Sequence, residues 1–130
     1  MKNKIILLLG VTFFVAGCTN IAKFIPSSFD GVEFDRLAEL KVVSSSPLVG
    51  DDWCRAADIN RMQFLSEILL TYSTYTLNQN ITEVYAEINS LTTELKQAEE
   101  PSPVYCKLKR ENINVATTRA LEVFGKRVKK

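Results

Sequence analysis

Apolar positions recur along the chain with helical spacing in four stretches. Between residues 29 and 43, Phe34, Leu37, Leu40 and Val43 repeat in steps of three, with Ala38 beside them. This predicts a short first helix, with Ser28 or Asp30 as its cap. Residues 44–50, Ser-Ser-Ser-Pro-Leu-Val-Gly, break the pattern and read as a loop. Residues 51–77 hold no Gly or Pro, and they predict a second helix with Asp51 or Asp52 at its positive end. Trp53, Ala57, Phe64, Ile68, Tyr72 and Tyr75 form its expected apolar face, widened by Met62, Leu65 and Leu69. Asn78-Gln79-Asn80 reads as a turn.

The third stretch is the most regular. Ile81, Ile88 and Leu95 are seven apart, and Val84, Leu91 and Ala98 repeat beside them. Three heptads are too few to require a free coiled coil; a helix packed in a bundle gives the same pattern and is the favoured reading. Glu99-Glu100-Pro101-Ser102-Pro103 ends this helix. A fourth begins near Ser102, where Pro103 suits a first turn, and carries Tyr105, Leu108, Ile113, Ala116, Ala120, Val123 and Phe124 as its apolar face. The expected fold is therefore all-α: a small, mainly antiparallel bundle of three long helices and one short N-terminal helix, spanning residues 29–130. Residues 80–100 carry five acids and one base, whereas residues 102–130 carry eight bases and two acids. That asymmetry favours antiparallel packing of the third helix on the fourth.

The N-terminus has a different pattern. Lys2 and Lys4 precede an almost unbroken apolar run from residue 5 to 16 that ends in Val15-Ala16-Gly17-Cys18. The run is well short of the ~20 residues a transmembrane helix needs. These four residues resemble the lipobox of bacterial lipoprotein precursors, with Val15 where Leu is commoner. An ordinary secretory signal with a chance cysteine is the alternative. The resemblance covers the first 18 residues only. It implies a signal peptide over residues 1–17, lipidation of Cys18 as the new N-terminus, and a lipidated tether over residues 18–28. With Thr19 rather than Asp after the cysteine, it implies an outer-membrane address facing the periplasm in a Gram-negative host. In another host it implies the outer face of the cell membrane. More than one acyl chain would anchor the chain stably.

An exported location is oxidising, so Cys54 and Cys106 read as a disulfide, against two free thiols or an intermolecular bridge. In an up-down-up-down bundle the second and fourth helices are parallel. Cys54 and Cys106, each early in one of them, then fall at the same end. No Cys-x-x-Cys motif points to redox activity.

Composition excludes several functions. The chain has 130 residues, 46% of them hydrophobic, no histidine, and 16 Lys+Arg against 15 Asp+Glu. One domain fits this length. The charge balance excludes a strongly basic nucleic-acid binder. The missing histidine removes His-based triads and metal sites. No nucleophile elbow, phosphate loop or dinucleotide turn is present. Glu83 and Glu87, one turn apart, are the nearest approach to a paired-carboxylate site. No cofactor and no metal is expected, and the expected class is non-enzymatic. A cell-wall-acting enzyme is the weaker alternative.

The expected role is to bind or position another envelope component, with the membrane reached through the lipid anchor and an envelope protein as partner. Tyr72, Tyr75 and Tyr85 could form an aromatic contact patch at the end away from the disulfide, or be half-buried bundle tyrosines. Lys126, Arg127, Lys129 and Lys130 could contact phosphates, an acidic partner or the cell wall, or form a solvated tail. Three sharper versions remain open. One is a pilot-like accessory lipoprotein of a secretion system, whose general plan is similar. Another is a phage- or plasmid-encoded exclusion or lysis lipoprotein. The third is wall attachment through Lys130, as in the major outer-membrane lipoprotein.

Overall fold

The computed structural model describes residues 30–76 and 79–126, with Gln79 described by its backbone alone. The lipobox with Cys18, the tether over 18–28, and Arg127, Lys129 and Lys130 lie outside the described residues. Four helices follow one another: α1 (Gly31–Ser45), α2 (Ala56–Tyr75), α3 (Gln79–Gln97) and α4 (Pro103–Gly125), with no strand among the described residues. The expected all-α bundle, three long helices after a shorter one, is what forms.

Each helix packs on its sequence neighbours, and α4 closes the ring on α1; the α1/α3 and α2/α4 pairs lie across the diagonals. Neighbours run antiparallel. Arg61 of α2 reaches Glu39 of α1 at 2.6 Å, Ser66 of α2 meets Asn89 and Thr92 of α3, and Asn114 of α4 donates to the Lys41 carbonyl of α1 at 3.0 Å. Lys109 and Arg119 of α4 pair with Glu94 and Glu87 of α3, in the sense the charge asymmetry predicts.

Local chemistry sets the boundaries. Asp30 caps α1, accepting from the backbone N–H of Val32 at 2.9 Å and of Glu33 at 3.2 Å. Ser102 caps α4 through the Tyr105 N–H, and Pro103 takes the first turn. The second helix departs from expectation. Neither Asp51 nor Asp52 caps it, and it starts at Ala56. The Asp52 carboxylate instead accepts from the Cys54 N–H at 3.0 Å and its carbonyl from the Arg55 N–H at 3.3 Å. Residues 51–54 are thereby spent on turns. Gly50, at φ 65°, makes the reversal just before them, a conformation glycine adopts without a Cβ clash. Asp58 supplies the negative charge in the first turn of α2.

The core is Leu37, Leu40 and Val43 of α1, Ile59, Met62, Leu65 and Leu69 of α2, Ile81, Tyr85, Ile88 and Leu95 of α3, and Cys106, Ile113, Ala116, Ala120 and Phe124 of α4. The α3 heptad holds at Ile81, Ile88 and Leu95, while Val84 and Leu91 are half-buried and Tyr85 and Thr92 turn inward. The α2 face is the largest correction. The residues expected to widen it, Met62, Leu65 and Leu69, are its core, whereas Phe64, Tyr72 and Tyr75 are exposed. The core face of α2 also buries Ser66 and Ser73, whose hydroxyls donate to the carbonyls of Gln63 and Leu70 at 2.8 Å each. With its donor satisfied inside its own helix, serine is buried at low cost. On α4, Leu108 is exposed and Arg110 is buried, again against expectation.

Cys54 and Cys106 form a disulfide with Cα atoms 5.4 Å apart. It joins the residue ahead of α2 to the first turn of α4, across the diagonal. No helix among the described residues is long and apolar enough to cross a membrane.

Candidate functional site

Two features stand out: a buried polar knot at the disulfide end, and an apolar stripe on the outer face of α2. The knot centres on Arg110, which has 0% exposure. Its Nη2 donates to the carbonyls of Val43 at 2.6 Å and Ser46 at 2.9 Å, and its Nη1 to the Trp53 carbonyl at 3.0 Å. Val43 and Ser46 lie at the C-terminal end of α1, where a cation complements the helix dipole. Both Arg110 nitrogens also reach Oδ2 of Asp58, at 3.4 and 3.3 Å. Asp58 accepts in turn from the Leu48 N–H and from Arg55, each at 3.2 Å. The guanidinium lies 5.7 Å from the Trp53 ring centroid. Arg110 therefore ties the end of α1, the 46–55 connection and the start of α2 to α4. It has no solvent-exposed surface from which to act on a ligand.

At the opposite end Tyr85 donates to Glu33 Oε1 at 2.6 Å, joining α3 to α1 across the other diagonal. Tyr85 is fully buried. It does not belong to an aromatic contact patch, because its ring is consumed by the core and its hydroxyl by a carboxylate.

Tyr72 and Tyr75 do face outward, the latter 84% exposed. They continue the stripe that begins at Phe64, 48% exposed, and runs through half-buried Ile68. The spacing 64, 68, 72 and 75 keeps these side chains on one face of α2. Together with Glu67 and Thr71 they line a groove of about 370 Å³, open to solvent. Arg61 packs against the stripe at Phe64, its guanidinium 5.5 Å from the ring centroid and paired with Glu39. At its near end the Tyr72 hydroxyl donates to Asp30, the first described residue before α1. The Glu67 carboxylate accepts from Gln63 at 2.7 Å. Lys126, just past the end of α4, is exposed.

Charged groups on the surface are paired across seams rather than gathered. Glu87 meets Arg119 at 2.6 Å, so Glu83 and Glu87 do not converge on a cleft. Hydrogen bonding and charge from Lys109 hold the Glu94 carboxyl below its ordinary range, and the same hydrogen bond raises Lys109. Among the described residues no group of three His, Cys, Asp or Glu side chains could hold a metal ion. Sequence periodicity missed both the outward placement of Phe64 and Ile68 and the burial of Arg110. A usable signal existed for the second: Asp58 and Arg110, opposite in charge, each follow a bridged cysteine by four residues. Compared with protein-family models, with curated proteins and with solved structures, the chain matches none.

Proposed function

We propose that this chain is a lipid-anchored envelope protein whose helical bundle binds or positions another envelope component without catalysing a reaction. The observation that carries this reading is the α2 stripe of Phe64, Ile68, Tyr72 and Tyr75, apolar and aromatic yet outside the core. Aromatic side chains with one polar tip are enriched where proteins meet other proteins. The lipobox resemblance supplies the other half. A bundle tethered at Cys18 is confined to a thin layer beside the membrane, so a weak contact through one helix face gains effective concentration. In a Gram-negative host the residue after Cys18 favours the outer membrane. Lipidation is tested by Cys18→Ser, which should release the protein from the membrane fraction; a variant that stays membrane-bound would refute the anchor. Binding is tested by in-cell cross-linking of the tagged full chain, with Tyr75→Asp and Phe64→Asp beside it. One envelope protein captured by the parent and lost from both variants is the expected result. A capture profile unchanged by both would refute the role of this face.

A further inference from the structure

The two sulfurs of the Cys54–Cys106 bridge are not equivalent. Cys106 has 0% exposure, whereas Cys54, just ahead of α2, is half-buried. Cys106 lies in the first turn of α4, where the positive end of the helix dipole favours an anionic sulfur. Cys54 has the Asp52 carboxylate on its own N–H at 3.0 Å, a negative charge that disfavours an anion there.

Arg110 adds a third difference. It sits one turn after Cys106 on the same face of α4 and is equally buried. Its Nη1 donates to the carbonyl of Trp53, the residue joined to Cys54, so the guanidinium lies beside the bridge. The Nη atoms are committed to Val43, Ser46, Trp53 and Asp58, but Nε is buried without a hydrogen-bond partner. A buried N–H left idle is costly, and the intact bridge offers it no anion.

We infer that the bridge is a directional thiol-exchange site: the thiolate of a small-molecule or protein thiol joins Cys54, and Cys106 leaves as a thiolate that accepts the Arg110 Nε–H. The incoming thiol gives its proton to water. Its sulfur places an electron pair on Sγ of Cys54, and the pair of the old S–S bond goes to Sγ of Cys106. One disulfide is consumed and one is formed, so the step needs no other oxidant or reductant. A better stabilised leaving thiolate speeds it. Asp58 is the buried anion already present, and it also holds Arg55 at 3.2 Å, so two guanidinium cations stand against two anions once Cys106 is released. Cys54 precedes α2 and the apolar stripe starts at Phe64, so this site stands or falls independently of the function proposed above.

The test uses the full-length oxidised chain, folded and in detergent, with any free thiol alkylated beforehand. Cysteamine, a cationic thiol, or mercaptoethanesulfonate, an anionic one, is added. Samples are quenched in acid and cut with pepsin, and the mixed disulfide is located by peptide mass. The adduct on Cys54 should exceed that on Cys106 about tenfold or more. An adduct mainly on Cys106, an even split, or no adduct until urea unfolds the chain would overturn the inference. Asp52→Asn, at an exposed position, should raise the ratio of anionic to cationic exchange rates about threefold at low salt; an unchanged ratio would show that attack is not at Cys54. Arg110→Lys keeps the charge and removes the Nε–H, and it should slow the first exchange step about fivefold. A purely structural Arg110 predicts the reverse, because a loosened end exposes the bridge. A faster or unchanged rate would therefore refute Arg110 as the partner of the leaving thiolate.

Discussion

Asp58→Ala is the substitution from which most can be learned. It removes the carboxylate that faces the buried Arg110 guanidinium at 3.3 Å. The cation would keep its three carbonyl partners, those of Val43, Ser46 and Trp53, and lose its counter-charge in a site without solvent. Removing one partner of a buried ion pair costs about 3–5 kcal/mol. Arg110→Leu strips the same three carbonyls of a donor while Asp58 retains Arg55 and the Leu48 N–H, and its cost should be of similar size, about 3–5 kcal/mol. Against a domain stability of roughly 5–15 kcal/mol, either loss is a large fraction of the whole. The double variant should cost less than the sum, with a coupling of about 1–3 kcal/mol, because neither orphaned charge remains. Urea unfolding followed by far-ultraviolet circular dichroism, with the disulfide intact, measures all four corners of the cycle. A cost below about 1 kcal/mol for Asp58→Ala, or strict additivity, would refute the view that the knot holds the disulfide end together.

Three further outcomes follow from the same geometry. Replacing Cys54 and Cys106 by Ser should lower stability by roughly 4 kcal/mol, the loop-closure value for a separation of 52 residues; unchanged urea midpoints for the oxidised parent and the double Ser variant would contradict it. Tyr85→Phe removes a buried hydrogen bond to Glu33 and should cost about 1.5–3 kcal/mol, read from the same unfolding curves; a loss below about 0.5 kcal/mol would show that the hydroxyl is dispensable. The Glu94–Lys109 pair should give a small pH signature. Because Lys109 lowers the Glu94 pKa, the contribution of this carboxylate is present above the usual carboxylate range and fades as pH falls through that range. Because Glu94 raises Lys109, the contribution of the amine fades only as pH rises past its ordinary range. Glu94→Gln should therefore differ from the parent near neutrality and converge with it in acid; a difference that grows in acid would contradict the assignment.

Helix existence and order were legible because α1, α3 and α4 carry apolar rows that the core uses: Leu37, Leu40 and Val43, then Ile81, Ile88 and Leu95, then Ile113, Ala116, Ala120 and Phe124. The disulfide was legible once an exported chain was assumed, since topology and cysteine positions agree. The face of α2 was not, for a physical reason. Both sides of that helix are apolar, and the buried side is the one punctuated by Gln63, Ser66 and Ser73. Ranking by hydrophobicity favours the aromatic side, but close packing on α3 favours small hydroxyls that bond their own helix. Arg110 escaped for a related reason. A guanidinium is placed outside by composition, and only three carbonyls from two separate segments, the end of α1 and Trp53, together with the Asp58 carboxylate, make its burial tolerable; none of this shows in a linear pattern. The candidate site inherits the first of these errors: Phe64, Ile68, Tyr72 and Tyr75 were all expected on the apolar face of α2 although three of them are exposed, and Tyr85, read as part of a contact patch or as a half-buried bundle tyrosine, is fully buried.

The disulfide also decides how the molecule bears tension. Its covalent ring encloses α2, α3 and the first turn of α4, but α1 lies wholly outside it. A pull on the chain ahead of Asp30 enters at the Asp30–Tyr72 hydrogen bond and the Phe34–Phe124 ring contact, whose centroids are 5.8 Å apart. It next works against Leu37, Leu40 and Val43, and last against the grip of Arg110 on the carbonyls of Val43 and Ser46. Unravelling the 15 residues of α1 would lengthen the chain by about 28 Å, the difference between helical rise and an extended strand. The ringed helices would meanwhile keep their cross-link. Under load, α1 is the extensible element and the rest is the anchor block, with Arg110 as the last catch between them.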